Sequence, residues 1–385
     1  MEQSHQLVIS TFKANFDQDH SIVVCSPGRV NLIGEHTDYN MGFVLPAAIN
    51  KGIYIAISKR EDDVISLIAA DLNKKHQTTL KDYKYSDDNW PNFILGVVDQ
   101  LLKAGKHIRG FNAVISGDVP LGAGMSSSAA LECAVAFALN HIFDLGLDKL
   151  SLVQKAQKAE NEFVGLQCGI MDQFASVFGK QKHVIKLDCR SLEYEYVPFD
   201  LEGIKIVLFD SMVKHSLASS EYNVRRSQCE EGVSIIQQSY PEVKTLRDAT
   251  IEMVETCLKD ASADIYNRCK YVVEENDRLL NACEDLKHGD IEAFGQKMYD
   301  THEGLSKLYE VSCPELDFIA ANAKKESAIL GARMMGGGFG GCVIALVKES
   351  EVDQVVKRMK DLYFQKMNKG MNVYITQIED GTRIL

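Results

Sequence analysis

Gly117-Asp118-Val119-Pro120-Leu121-Gly122-Ala123-Gly124-Met125-Ser126-Ser127-Ser128-Ala129-Ala130-Leu131-Glu132 is the stretch on which the reading of this chain turns. It follows Phe111–Ser116, a β-branched run that reads as a strand. It leads into an alanine-rich segment that reads as a helix over Ser127–Asn140. A strand that passes through a Gly/Ser loop into a helix is suited to holding an anion. The glycines let backbone N–H groups come close, and the helix N-terminus adds free donors and a positive dipole end. The three serines add hydroxyls for phosphate or Mg²⁺. A simple N-cap in a tight turn would need one serine. No GxxxxGK[ST] occurs, so the loop is not a Walker A motif, and the absence of HRD and DFG excludes protein-kinase chemistry.

Upstream, Ser21–Ser26 reads as a strand, a polar loop runs to Tyr39, Phe43–Ser58 reads as a strand, and Trp90–Ala104 as a helix. Downstream, helices are expected over Leu152–Val164 and Ile170–Phe178, with strands at His183–Asp188 and Lys205–Asp210. After Tyr222 the pattern is helical for about a hundred residues. A Gly-rich turn, a strand (Cys342–Val347), a helix (Glu351–Lys366) and a last strand (Met371–Ile378) follow. Strands and helices are interspersed without regular βαβ alternation, which predicts an α+β fold. Two packed domains are expected, residues 1–205 and 206–385.

Composition narrows the function classes. Of 385 residues, 45% are hydrophobic and 25% charged, an ordinary globular balance. The net charge of −12 argues against a nucleic-acid partner, which calls for a basic face. No apolar run reaches a membrane span, and the N-terminal residues lack the cationic and apolar segments of a signal peptide, so no membrane partner and a cytoplasmic location are expected. The ten cysteines include no CxxC pair and lie largely in apolar runs, as buried free thiols do.

Three further motifs carry chemistry. Gly336-Gly337-Gly338-Phe339-Gly340-Gly341 satisfies G-x-G-x-x-G, but Cys342–Val347 reads as a strand, whereas a dinucleotide-binding loop must open a helix. In Pro27-Gly28-Arg29-Val30-Asn31-Leu32-Ile33-Gly34-Glu35-His36-Thr37-Asp38-Tyr39, polar groups crowd one short loop. Glu35, His36 and Asp38 match no common zinc spacing, and two carboxylates with an imidazole are as well suited to sugar hydroxyls or to a solvated turn. In Gly169-Ile170-Met171-Asp172-Gln173-Phe174, one Asp lies among apolar neighbours, either as a first-turn helix carboxylate or as a reacting group.

Taken together, these segments resemble the GHMP small-molecule kinases, most closely the galactokinases. Gly28–Tyr39 is similar to the N-terminal signature, Pro120–Glu132 to the phosphate-binding motif and Met335–Cys342 to the third, Gly-rich motif. Cys168–Phe174 and His215-Ser216-Leu217-Ala218-Ser219-Ser220-Glu221-Tyr222 also resemble galactokinase segments, and Met125 departs only in standing where Leu is usual. The resemblance implies a two-domain fold with the site in the cleft, and ATP-dependent phosphorylation of the anomeric hydroxyl of galactose. It implies that Asp172 and Arg29 flank the reacting hydroxyl, and that Glu35, His36, Asp38, Gly169 and Tyr222 serve the sugar. Gly122, Ala123, Gly124, Met125, Ser126, Ser127 and Ser128 would cradle ATP, Trp90 would line the adenine pocket, and Ser128 and Glu160 would hold Mg²⁺. Galactose and ATP are the expected partners, for a monomer or weak homo-oligomer. An N-acetylgalactosamine kinase and a non-catalytic sugar sensor of the same fold are the rival expectations.

Overall fold

The structure is a computed structural model that describes residues 2–120, 122–213 and 218–385. Leu121 of the Gly/Ser loop and His215, Ser216 and Leu217 lie outside the described residues.

The first sheet forms because β-branched residues alternate along its strands, sending each side chain to one face or the other. Its members are β1 (Ile22–Asn31), β3 (Pro46–Lys59), β4 (Val64–Ala69), β5 (Lys74–Thr79), β6 (Phe111–Gly117) and β13 (Arg383–Ile384), in the order β13-β1-β3-β6-β4-β5. Only the β4–β6 pairing is parallel. On one face, Val24, Ile55, Ile57, Leu67 and Phe111 pack with α2 (Trp90–Lys103) and α3 (Ser127–Ile142). α2 presents Ile94, Leu95, Val98 and Leu101 at helical spacing. On the other face, Val23, Cys25, Tyr54 and Ala56 meet Val8 and Phe12 of α1 (Glu2–Asn15). The strand expected over Phe43–Ser58 is two elements. β2 (Phe43–Val44) departs to pair with β7 (His183–Asp188), which pairs in turn with β8 (Tyr194–Pro198), and only from Pro46 does the chain join the first sheet.

A four-stranded sheet in the order β10-β11-β9-β12 comprises β9 (Ile204–Asp210), β10 (Ile329–Met334), β11 (Cys342–Lys348) and β12 (Asn372–Thr376). Its period-two pattern serves two cores. Val207, Phe209, Val343 and Ala345 face a helical layer that includes Cys229 of α6 (Ala218–Ile236), Val272 of α8 (Ala263–His288) and Leu305 of α9 (Ile291–Lys307). Ile206, Leu208, Ile344 and Leu346 face Val30, Leu32, Leu45 and Ala47 at the end of β1 and start of β3. Each such fully buried aliphatic side chain contributes about 1.5–3 kcal/mol, so the two sheets are joined through a shared apolar layer. The α+β architecture is as the sequence implied. Cys342–Lys348 is a strand, so the Gly-rich turn opens no helix.

Candidate active site

The end of β1 was expected to be loop, but the strand runs on to Asn31, with a register shift between Pro27 and Arg29. The shift lets the Gly/Ser loop lie directly on the strand. A Cβ at Gly28 would stand 2.6 Å from the Met125 carbonyl, and the Arg29 N–H donates to that carbonyl at 3.1 Å. Arg29 is therefore held by strand backbone, its guanidinium buried beneath the loop.

That guanidinium grips Asp172 with two parallel hydrogen bonds, Nε to Oδ1 at 2.9 Å and Nη2 to Oδ2 at 3.1 Å, while Nη1 donates to the Gly124 carbonyl. The planar fork fixes the carboxylate in orientation as well as position. Asp172 lies in the first turn of α5 (Met171–Phe178), with its side chain 28% exposed toward the cleft. Ser126 occupies the N-cap position of α3 in a left-handed conformation, yet its hydroxyl makes no capping bond and donates to Asp172 Oδ2 instead. Sequence reasoning placed Ser126 among the phosphate ligands and missed this contact.

The sugar-type residues converge on the same place. His36 has φ +62, a left-handed conformation uncommon outside glycine, of the kind that clusters at functional sites. Its Nδ1 is hydrogen-bonded to the Tyr39 hydroxyl at 2.8 Å, and its buried Nε2 has no hydrogen-bond partner. Burial, then Arg225 and Arg333, pull the imidazole down to about 3, so it is neutral at physiological pH. The Tyr222 ring, on α6, packs 5.5 Å from His36 and 5.0 Å from Tyr39. Asp38 is 8% exposed, and burial, with Asp172 as the next cause, pushes its carboxyl up to about 7. Gly169 is required by Asp38: an added Cβ would lie 1.9 Å from Asp38 Oδ2.

Glu35 is held from three sides. Oε2 accepts from Asn31 Nδ2 at 2.7 Å and Arg333 Nη2 at 2.6 Å, and Oε1 accepts the Gly336 N–H at 2.9 Å. The signature loop is thereby tied to β10 and the Gly-rich turn. Glu275 of α8 supports the same loop by accepting the Gly34 N–H at 2.8 Å. Neither Arg333 nor Glu275 was singled out from sequence.

Arg29, Glu35, His36, Asp38, Gly169, Asp172 and Tyr222 all line one cavity of about 350 Å³, together with Gly336, Gly337 and Gly338. Beside it, Glu160 sits in a π-helical turn, Ala159–Val164, that extends α4 (Lys149–Lys158). Such turns recur at functional sites. Glu160 is hydrogen-bonded to Ser128, and its Oε2 accepts from Gln173 Nε2 at 2.7 Å and from the Cys168 thiol at 3.4 Å. Burial, then Asp172, raise its carboxyl. A hydroxyl and a carboxylate are the donors a hard divalent cation takes when phosphates and waters complete its shell. Among the described residues, no three His, Cys, Asp or Glu side chains are grouped to hold a metal by themselves. Trp90 is not part of the cavity. It begins α2, half-buried against the first core and edge-on to His76 at 6.5 Å, with its indole N–H unpartnered.

No helix among the described residues is long and apolar enough to cross a membrane. All ten cysteines are free thiols, most of them buried.

Three family models match the chain: the galactokinase galactose-binding signature over residues 10–59, the GHMP kinase N-terminal domain over 92–180 and the GHMP kinase C-terminal domain over 282–365. Galactokinase of Thermotoga maritima is 42% identical over 361 residues, covering 94% of this chain and 99% of the relative. Galactokinase of Roseiflexus is 39% identical over 370 residues, 96% of this chain and 94% of the relative. The crystal structure of Lactococcus lactis galactokinase complexed with galactose superposes with a TM-score of 0.93 at 35% identity, over 98% of both chains. Mevalonate kinase of Methanococcus jannaschii, at 19% identity and TM-score 0.67 over 95% of this chain and 100% of that one, shares the fold. By sequence along nearly its whole length and by the geometry of its cleft, the chain belongs to the galactokinase family of the GHMP kinases.

Proposed function

We propose that this cleft transfers the γ-phosphoryl group of ATP to the anomeric hydroxyl of galactose, with Asp172 and Arg29 at the reacting centre. The observation that carries the reading is the Arg29–Asp172 fork, set at the wall of the cavity that Glu35, His36, Asp38, Gly169 and Tyr222 line. Asp172 orients the sugar hydroxyl and accepts its proton. The freed oxygen forms the new bond to phosphorus as the bond to the β–γ bridging oxygen breaks, and ADP leaves with that electron pair. Arg29 stabilises charge on the moving phosphoryl group. Phosphoryl transfer passes through a loose transition state, so positioning and electrostatics supply most of the catalysis.

His36, neutral and with a free Nε2, is suited to a sugar hydroxyl, as is the Asp38 carboxylate. Gly122–Ser128 would receive the phosphates, and Trp90 the adenine. Ser128 and Glu160 would hold Mg²⁺, which when bound neutralises phosphate charge. The division into residues 1–205 and 206–385 belongs to this reading and is supported by the second sheet's opening at Ile204, although β13 returns to the first sheet. A cytosolic setting suits the ten free thiols.

The experiment is a sugar panel with Mg²⁺-ATP, detecting sugar 1-phosphate. Galactose should be the preferred acceptor over N-acetylgalactosamine and glucose. Binding of galactose without turnover would turn the reading to a sensor.

A further inference from the structure

Glu132 stands one helical turn after Ser128 on α3, and residues four apart share a helix face. It is completely buried. Its Oε2 accepts from Gln173 Nε2 at 3.1 Å, the nitrogen that also donates to Glu160 Oε2 at 2.7 Å. One amide thus bridges two buried carboxylates. Glu132 Oε1 and Gln173 Oε1 are both buried without a hydrogen-bond partner. Among the described residues neither carboxylate has a basic partner, and the nearby Arg29 is engaged with Asp172 and Gly124. A buried carboxylate is costly unless an opposite charge or full hydrogen bonding meets it. Packing alone would be served better by an apolar residue. Burial, followed by Glu160 and offset partly by Gln173, raises the Glu132 carboxyl well above its ordinary range, the behaviour of a group in want of a cation.

We propose that Glu132, acting through Gln173, is a positioning residue for the Ser128–Glu160 pair and supplies a second buried negative charge that draws a divalent cation into the cleft. This rests on the reading of Ser128 and Glu160 as the cation ligands. The test is direct titration of Mn²⁺ into the ADP-bound protein by calorimetry, with galactose affinity measured alongside. Glu132→Gln keeps the shape and removes the charge. It should weaken Mn²⁺ binding about ten-fold or more, the usual effect of losing a group that supports a metal ligand, and leave the galactose Kd within about three-fold. Gln173→Leu, which removes the bridge at similar volume, should weaken Mn²⁺ in the same direction and serves if Glu132→Gln does not fold. Wild-type Mn²⁺ affinity in either folded variant overturns the inference. Glu160→Gln separates the two readings. If it too binds Mn²⁺ normally, the cation site itself is wrong, whereas if it alone loses Mn²⁺, only the role of Glu132 falls.

Discussion

Arg333 and Glu35 form a buried ion pair, 2.6 Å from Nη2 to Oε2, that fastens β10 to the loop after β1. Nε also donates to the Leu32 carbonyl at 2.7 Å, and Nη1 to the Met334 carbonyl at 2.6 Å. Because Glu35 also accepts the Gly336 N–H, one carboxylate sets both the sugar-side loop and the start of the Gly-rich turn.

Arg333→Lys keeps the charge but loses the planar fork. The loop carrying Glu35, His36 and Asp38 should relax, raising the KM for galactose by about ten-fold, the scale of one lost charge-assisted hydrogen bond, with a smaller change in the KM for ATP. Steady-state kinetics on the folded variant checks the split. Equal changes in both would assign Arg333 to general stability.

Gly169→Ala places a methyl group where Asp38 Oδ2 now lies. Asp38 has to move, because the added Cβ would approach to 1.9 Å. Galactose affinity should fall by about an order of magnitude or more, as for a buried polar partner displaced from its ligand. Calorimetric titration with galactose reads this directly, and an unchanged Kd would remove Asp38 from the sugar site.

Asp38 makes stability depend on pH. Its folded value, about 7, is raised above the ordinary 3.8. Its contribution is therefore fully present below about pH 4 and lost as pH rises through 7. Asp38→Asn does not titrate, so in the ligand-free protein it should gain on wild type between pH 4 and pH 8, by as much as about 4 kcal/mol. Denaturant unfolding at the two pH values measures it. A gap that does not widen with pH would contradict the burial of a charged group here.

Trp90 is the single tryptophan, so its fluorescence reports on one place. Adenine stacked against the half-buried indole should change the emission when ATP binds. ATP binding seen by calorimetry with no change in emission would leave Trp90 as a packing residue of the first core.

What the sequence revealed was local. Glycines and serines at Gly117–Ser128 announce a loop that opens a helix, and Cys342–Val347 announces a strand, because both signals lie within a few residues of what they determine. β5, Lys-Lys-His-Gln-Thr-Thr, gave no alternation because it is a polar edge strand. α1 offered little beyond the pair Val8 and Phe12, four residues apart. β1 was read short because Pro27-Gly28 looks like a turn, and only the register shift against β3 keeps it in the sheet. Among site residues, the signature loop and Asp172 stood out by residue type. Arg333 and Gln173 did not: a lone Arg on a strand and a Gln on a helix read as ordinary until folding brings Leu32, Glu35, Glu132 and Glu160 to them.

The most direct measurement is turnover of Asp172→Asn with Mg²⁺-ATP and galactose. Asn keeps the shape, can still hydrogen-bond a sugar hydroxyl and caps a helix as well as Asp does, but it cannot accept the proton. The account predicts a folded protein whose kcat falls by about 10²–10⁴-fold, with galactose affinity within several-fold of wild type. Near wild-type turnover in that folded protein would contradict it and remove Asp172 from the reacting centre.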